Sequence, residues 1–505
     1  ILVRHLLAHD AGFEDRPLVG RLAIDEDRLR PLREELEATT PALQRPVGTE
    51  PAYSHWGAAL AGLVVEEVAG VPYATYLHDT VLEPLGMDDA SLQQPPPERL
   101  AVAYPHVPGD EGFDRVATEL TPLAPAGGGV ASASDLARFA LAHLNGGALP
   151  AALGGGRILD AATTERMREP LRMHPDGVSG VGHGWWLSES FGLRVVHHVG
   201  DTLGSHALLT LVPAEGAALV VLTNTTTGGS VREDLRVAFL RALAGDAADD
   251  PVAAVAADLD ASAATRDADA YAGLYASNRR SDATVAKLLA VLSGLLPVLA
   301  EDDALALPLP TGRLVTFAPA GADVFVDPER GGRATFVRDG DRVEAVHLSD
   351  VPMFVYRPLE GLDAPTSFLA VLAVAFLACA VTVLFWPLGL RRYRRREGGL
   401  PPGPRWFRTI GQATATLVVL FSLSLVLVAM APLALVYGMT LPMLSVLTLG
   451  SVLLVAAPAS AVTTAIAIWR GHGRTADRGW AMLVAVSAVS LLIQVVHWNL
   501  FGFHA

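Results

Sequence analysis

The sequence predicts an α+β domain, then a small β-rich domain, then a four-helix transmembrane region. Three observations predict this order. The first part mixes helical periodicity with two adjacent β-prone runs, a series of short strands with turn residues follows, and four long apolar segments end the chain. At 505 residues the chain is too long for one hydrophobic core. We place the domains at residues 1–247, 248–362 and 363–505.

The first domain is organised around residues 51–87. A polar triplet at residues 53–55 (Tyr-Ser-His) precedes a helix that Gly70 ends. Gly57 and Gly62 weaken this helix unless another element packs closely against it. The helix is predicted to bury one apolar face, made of Leu60, Leu63, Val64 and Val68. Such a helix can hold a hydroxyl rigidly in a cleft.

The other elements of the first domain follow along the chain. Residues 92–125 are rich in proline and predict a long surface loop over a cleft. A helix is predicted from Asp135 to Leu144, with Ser132 or Ser134 as its cap. Two β-prone runs, joined by a Pro-Ala-Glu-Gly turn, predict a hairpin. Its strands are Ser205–Val212 and Ala217–Thr223.

A linker rich in alanine and aspartate, residues 245–268, leads to the second domain. A helix is predicted near 282–297, and the remaining elements are short strands. These strands are Arg313–Phe317, Asp323–Val326, Arg333–Val337 and Arg342–Leu348. An Asp-Gly-Asp turn joins the last two strands.

Four apolar segments are long enough to cross the hydrocarbon core of a bilayer. They lie at about 367–390, 412–438, 442–469 and 480–501. Arginines cluster in the loops 391–411 and 470–479, whereas the turn 439–441 has none, so the positive-inside rule places both loops in the cytoplasm. The first two domains would then lie outside the plasma membrane, and membrane lipid is an expected partner.

Composition excludes several classes of function. A net charge of −15 argues against a nucleic-acid partner. The single cysteine, Cys379, lies in the first apolar segment, so the chain can form neither an internal disulfide nor a Cys-based zinc site. The predicted cleft lacks the dense His, Asp and Glu spacing of a metal site, so we expect no metal and no cofactor.

Five stretches, in this order, resemble the serine β-lactamase and penicillin-binding-protein-like hydrolases, of the class C β-lactamase and D-alanyl-D-alanine carboxypeptidase type. They are VRHLLAHDAG at 3–12, Tyr53-Ser54-His55, PLGM at 84–87, Gly127-Gly128-Gly129 with Ser132 and Asp135, and His198-Val199-Gly200 followed by Gly204. The resemblance covers residues 1 to about 225. It implies an antiparallel sheet flanked by helices.

The resemblance also implies a mechanism. A serine in a Ser-x-x-Lys motif attacks a carbonyl and forms an acyl-enzyme. Tyr53 would work with the lysine to move the proton. His198, on an edge strand, would bond the substrate or the tyrosine, and the glycine spacing favours it over its neighbour His197. Gly200 would let substrate approach the backbone, and the backbone N–H of Asp201 would complete the oxyanion hole.

The sequence departs from the family in two places. It contains no Ser-x-x-Lys, and we reject its one lysine, Lys287, because it follows Tyr53. Since the chain starts at Ile1, we expect the true N-terminus and the nucleophile to be missing, and we predict that this chain forms no acyl-enzyme. His55 replaces the usual asparagine. We expect Ser54 and His55 to contact substrate, with a structural hydrogen bond as the alternative for His55.

The second domain carries a further resemblance. Its Tyr-Ala-Gly-Leu-Tyr at 271–275 resembles the opening of the lipocalin-like β domain that often follows such hydrolases. The sequence thus predicts a membrane-anchored serine hydrolase whose substrate is a small molecule or peptide. Cell-wall D-amino peptides, β-lactams and small esters are all open. The alternative is a non-catalytic binding or sensing membrane protein that kept the fold.

Overall fold

The computed structural model describes residues 1–15, 22–110, 112–175, 177–259, 267–308, 312–399 and 401–502. Two compact units make up the chain. The first holds Ile1–Asp15, Leu22–Arg280 and Gly294–Pro358, and the second holds Ser281–Ser293 and the chain from Leu359 onward. The first unit therefore contains the first domain together with most of the β-rich domain. Residues 260–266 of the predicted linker lie outside the described residues.

The described residues of the first unit contain α-helices of 3 to 17 residues. They are α1 (Val3–Leu7), α2 (Leu32–Ala38), α3 (His55–Ala69), α4 (Tyr73–Leu77), α5 (Glu83–Leu85), α6 (Ala133–Leu144), α7 (Ala161–Met167), α8 (Gly228–Ala244) and α9 (Pro251–Asp258). A π-helical turn, His78–Leu82, joins α4 to α5. The predicted central helix is α3, and Gly70 ends it in the left-handed conformation at φ 71°.

Close packing explains one glycine of α3. A Cβ added at Gly62 would lie 2.5 Å from the Cβ of Pro125, so the helix can approach that loop only with glycine there. The prediction for Val68 is wrong, because this side chain is 85% exposed. The last turn of α3, residues 67–70, is exposed throughout, so the buried face ends before Val68.

In the described residues of the first domain, the strands form two sheets. One is a small hairpin of β1 (His106–Gly109) and β2 (Gly112–Arg115), and the other is a six-stranded antiparallel meander in chain order. Its strands are β3 (Arg172–Met173), β4 (Gly180–Val181), β5 (Trp186–Ser190), β6 (Leu193–Asp201), β7 (His206–Val212) and β8 (Ala217–Thr223). The β1–β2 hairpin lies where only a loop was predicted, since β2 is exposed throughout and has no alternating pattern. The predicted hairpin is confirmed as β7–β8.

Helices cover both faces of the meander. Val196 and Leu211 pack with Ala140 of α6, whereas Val195 and Val212 pack with Leu240 of α8. Neighbouring residues of a strand point to opposite faces, so α6 and α8 lie on opposite sides of the sheet. This confirms the predicted antiparallel sheet flanked by helices.

The β-rich domain is a closed eight-stranded antiparallel barrel. Its strands are β9 (Gly273–Ser277), β10 (Leu295–Glu301), β11 (Ala304–Pro308), β12 (Leu314–Gly321), β13 (Val324–Val326), β14 (Arg333–Asp339), β15 (Arg342–Leu348) and β16 (Tyr356–Pro358). The four predicted strands correspond to β12–β15. The predicted helix is shorter, α10 (Ala286–Ser293), because its last residues belong to β10. A lipocalin-like identity for this barrel stays a prediction.

Among its described residues, the second unit contains four helices that are each long and apolar enough to cross a membrane, with mean hydropathy from 2.0 to 2.8 over their most apolar windows. They are α11 (Pro365–Glu397), α12 (Trp406–Met430), α13 (Leu441–Trp469) and α14 (Thr475–His497). The second helix ends before its predicted limit of 438 because Pro432 begins a separate 3₁₀ segment. The first continues through the arginine run to Glu397.

Candidate active site

The predicted triplet lies at the start of α3. Ser54 is the N-cap: its Oγ accepts a hydrogen bond from the backbone N–H of Gly57 at 3.1 Å. Its own backbone N–H donates to Nδ1 of His9 at 3.3 Å. Ser54 is buried, and its hydroxyl caps the start of the helix that follows Tyr53. Contact between Ser54 and a substrate stays a prediction.

Three histidines surround the ring of Tyr53. The ring centre of Tyr53 lies 4.3 Å from that of His9, 5.1 Å from that of His55 and 6.4 Å from that of His198. The ring centre of Trp186 also lies near, 6.3 Å from that of Tyr53. The structure thus brings Tyr53, His55 and His198 together, as the sequence predicted, and adds His9, which had no predicted role in the site.

The strand that carries His198 is internal to the sheet, so its prediction as an edge strand is wrong. Strand β6 pairs with β5 on one side and β7 on the other. Pairing with β5 ends at His197, whereas pairing with β7 continues to Asp201. Residues 198–201 therefore extend beyond β5 and, like an edge strand, pair with a neighbouring strand of this sheet on one side only.

His198 is a neutral ring whose proton position is fixed. Its Nδ1 lies 2.7 Å from the carbonyl oxygen of Val199, which can only accept, so Nδ1 carries the proton. Burial lowers the pKa of His198 below its usual value, although the Val199 carbonyl and Asp201 oppose this. Nε2 of His198 is then an acceptor, which suits a hydroxyl partner such as that of Tyr53 better than a substrate carboxylate.

His197 belongs to a different environment. It is buried, and its Nε2 lies 3.3 Å from the Oγ of Ser188. Burial holds the pKa of His197 well below its usual range. Because consecutive strand residues alternate between faces, His197 points away from the face that His198 shares with Tyr53.

Gly200 and Asp201 lie at the free end of β6. A Cβ added at Gly200 would meet only the Cβ of Ala207, at 3.6 Å, so the fold itself does not demand glycine there. Oδ1 of Asp201 bonds Nδ1 of His206 at 2.5 Å and a guanidinium nitrogen of Arg232 at 2.7 Å. Burial opposes ionisation, but these two partners hold the pKa of Asp201 below its usual range. Its side chain is thus tied to β7 and α8.

The barrel supplies one wall of the site, which sequence reasoning missed. Arg279, two residues after β9, donates to Oδ2 of the buried Asp15 at 2.7 Å and to Nδ1 of His55 at 2.9 Å. The carbonyl of Met353 accepts from the backbone N–H of Tyr53 at 3.2 Å. Burial opposes ionisation of Asp15, but the Arg279 guanidinium holds its pKa well below its usual range.

Comparisons with known proteins bear on the first part of the chain. Residues 1–244 match the family model described as Beta-lactamase. Penicillin-binding protein 4 of Amycolatopsis lactamdurans is 31% identical over 209 residues, which are 40% of this chain and 54% of that protein. Residues 1–244 form a β-lactamase-family domain. All five stretches that carried the resemblance fall within this domain, so the family prediction is confirmed.

Two further proteins are similar to this chain. A putative beta-lactamase-like 1 of Homo sapiens is 31% identical over 167 residues, 32% of this chain and 31% of that protein. The octameric penicillin-binding protein homologue from Pyrococcus abyssi covers 71% of this chain and 78% of its own, at 18% identity and a TM-score of 0.41. The chain thus spans about half the length of the first curated relative and about a third of the second.

Lys287 lies in the second unit, outside the β-lactamase-family domain. Its Nζ donates to the backbone carbonyl of His497 at 3.2 Å and lies 3.6 Å from a carboxylate oxygen of Asp363. These partners all belong to the second unit. The position of Lys287 in the second unit is compatible with our interpretation that it is not the lysine of the catalytic motif.

Proposed function

We propose that this chain belongs to a membrane-anchored serine hydrolase that transfers an acyl group to water through an acyl-enzyme. One observation carries the proposal. Within a β-lactamase-family domain, the ring centre of Tyr53 lies 5.1 Å from that of His55, at the start of α3, and 6.4 Å from that of His198, on the free end of β6. The second and third motifs of the family resemblance are thus close together, as the proposed acyl transfer requires.

Each group has a stated role in the proposed reaction. The nucleophile and its lysine belong to a Ser-x-x-Lys motif, which residues 1–505 do not contain. Tyr53 moves the serine proton, and since a free phenol has a pKa of about 10, this requires a cation near its oxygen. His198, neutral with Nε2 as acceptor, can bond the tyrosine hydroxyl.

The end of β6 would hold the reacting carbonyl. The backbone N–H of Asp201 is the proposed oxyanion donor, a contact worth about 3 kcal/mol in comparable sites. Gly200 leaves room for substrate beside the backbone, and its open surroundings support this role. The substrate is an amide or ester, with a cell-wall D-amino peptide, a β-lactam and a small ester as the candidates.

Acylation is the direct test of this function. The protein is produced twice, once as residues 1–505 and once with the codons that precede Ile1, and each is treated with a fluorescent penicillin and a fluorophosphonate. We expect label only on the longer protein, on the serine of a Ser-x-x-Lys motif. A stable adduct on the 505-residue chain would contradict the assignment of the nucleophile. No label on either protein would favour a binding or sensing role.

We also propose that α11–α14 cross the plasma membrane, with the β-lactamase-family domain outside and the arginine loops inside. The mean hydropathy of these helices supports membrane crossing, and the arginine pattern supports this orientation. In a Cys379→Ala background, a membrane-impermeant maleimide added to intact cells should label Asp249→Cys but not Glu397→Cys. Both replaced residues are exposed. Labelling of Glu397→Cys alone would reverse the orientation.

A further inference from the structure

Arg279 brings a positive charge from the barrel into the surroundings of Tyr53. Its Nε donates to Asp15 at 2.7 Å, and one terminal nitrogen donates to Nδ1 of His55 at 2.9 Å. The guanidinium carbon lies 4.8 Å from the ring centre of Tyr53. The side chains of Asp15, His55 and Arg279 are 4%, 15% and 19% exposed, so water screens this cluster only weakly.

The backbone beneath Arg279 is held from two sides. The side-chain amide of Asn278 donates to the carbonyl of Pro51 at 2.8 Å, and its oxygen accepts from the N–H of Val355 at 3.1 Å. The N–H of Arg279 itself donates to Oγ of Ser277 at 3.1 Å. The side chain of Arg279 thus extends from a turn whose backbone is held in place, and this turn connects the barrel to the segment that leads to Tyr53.

The contact with Arg279 determines the proton position of His55. Two groups face Nδ1 of His55: Oδ2 of Asp15 at 3.5 Å and the terminal nitrogen of Arg279 at 2.9 Å. The guanidinium is the nearer partner and has only donors, so Nδ1 of His55 is the acceptor and carries no proton. A doubly protonated ring would place its N–H against an N–H of Arg279. His55 is therefore neutral with its proton on Nε2, and Asp15 keeps the guanidinium in the orientation that enforces this.

We propose that Arg279 is a positioning residue that makes His55 a hydrogen-bond donor only. The asparagine expected from the family resemblance offers both a donor and an acceptor, whereas His55 held in this way offers Nε2–H alone. This inference rests on the proposed function. A His55 that can only donate selects substrates that present a carbonyl or carboxylate oxygen to it. The barrel is then part of the specificity of the site.

The tautomer can be measured directly by nitrogen NMR on the full chain with ¹⁵N-labelled histidine, in detergent micelles. The signals of His55 are those that disappear in His55→Asn. We expect them to show a protonated Nε2 and an unprotonated Nδ1 at pH 7. Arg279→Met should abolish this pattern, Arg279→Lys should keep it, and Arg280→Met, the matched control on the neighbouring residue, should leave it unchanged.

A proton on Nδ1 or a charged ring in the unaltered protein would overturn the proposal, and so would an unchanged pattern in Arg279→Met. If Arg279→Met does not fold, the unaltered protein and Arg279→Lys still decide the matter. The NMR pattern needs no turnover. A fixed Nε2–H tautomer without acylation of the longer protein would refute the hydrolase function and leave the positioning role intact.

Discussion

Replacing Asp15 by asparagine should weaken the site and the fold together. The change removes the anion of a largely buried ion pair and leaves the Arg279 guanidinium without its partner. Removing one member of a buried pair costs about 3–5 kcal/mol. Because the side chain of Arg279 is still 19% exposed, water compensates part of the loss, and we expect about 3 kcal/mol.

The pH dependence of this loss has a definite sign. The folded-state pKa of Asp15 lies below its unfolded value of about 3.9, so its contribution to stability is fully present above that value. The contribution disappears only as the pH falls through the folded-state pKa. The difference in stability between the unaltered protein and Asp15→Asn should therefore stay constant from pH 5 to pH 8 and shrink only below about pH 4.

Thermal unfolding followed by tryptophan fluorescence is the assay. At roughly 2 °C per kcal/mol for a large domain, Asp15→Asn should lower Tm by about 6 °C. Glu67→Gln is the matched control. Glu67 pairs with Arg33 at 2.5 Å, but both side chains are about half exposed, so its loss should not change Tm measurably. An unchanged Tm for Asp15→Asn, or an equal drop in both variants, would refute the reasoning.

Four further substitutions test the fold around Tyr53 by the same assay. Gly62→Ala should cost about 1–3 kcal/mol because its Cβ would collide with Pro125, whereas Gly57→Ala should cost nothing, since its Cβ would meet Ser54 at an ordinary 3.5 Å. Ser54→Ala should cost about 1 kcal/mol through loss of the helix cap. Gly200→Ala should leave Tm unchanged, and a clear drop would show that the fold itself requires this glycine.

Local patterns determined how much of the fold the sequence could predict. The stop at Gly70, the strands of the β7–β8 hairpin and four barrel strands all depend on residues close together in the chain. In the structure Ser132, and not Ser134, is the cap of α6, because the Ser132 hydroxyl accepts from the N–H of Asp135 at 3.1 Å. Either serine has the right chemistry, so composition alone could not decide between them.

The missing parts of the site depend on contacts between distant residues. Asp15 and Arg279 are 264 positions apart, and neither belongs to a motif, so no pattern indicates that they form a pair. His9 lay within the stretch that carried the family resemblance, which was the one available signal of its place beside Tyr53. The internal position of β6 likewise depends on its pairing with both neighbours.

The role of Tyr53 is the central claim, and the rate of acylation tests it most directly. In the longer protein with its upstream codons, the rate of labelling by a fluorophosphonate is compared with that of Tyr53→Phe, with Tyr104→Phe as a control outside the site. Loss of a positioned proton-transfer group should slow acylation by about 10²–10⁴-fold in Tyr53→Phe and leave Tyr104→Phe unaffected. Equal labelling rates in Tyr53→Phe and the unaltered protein would contradict the account.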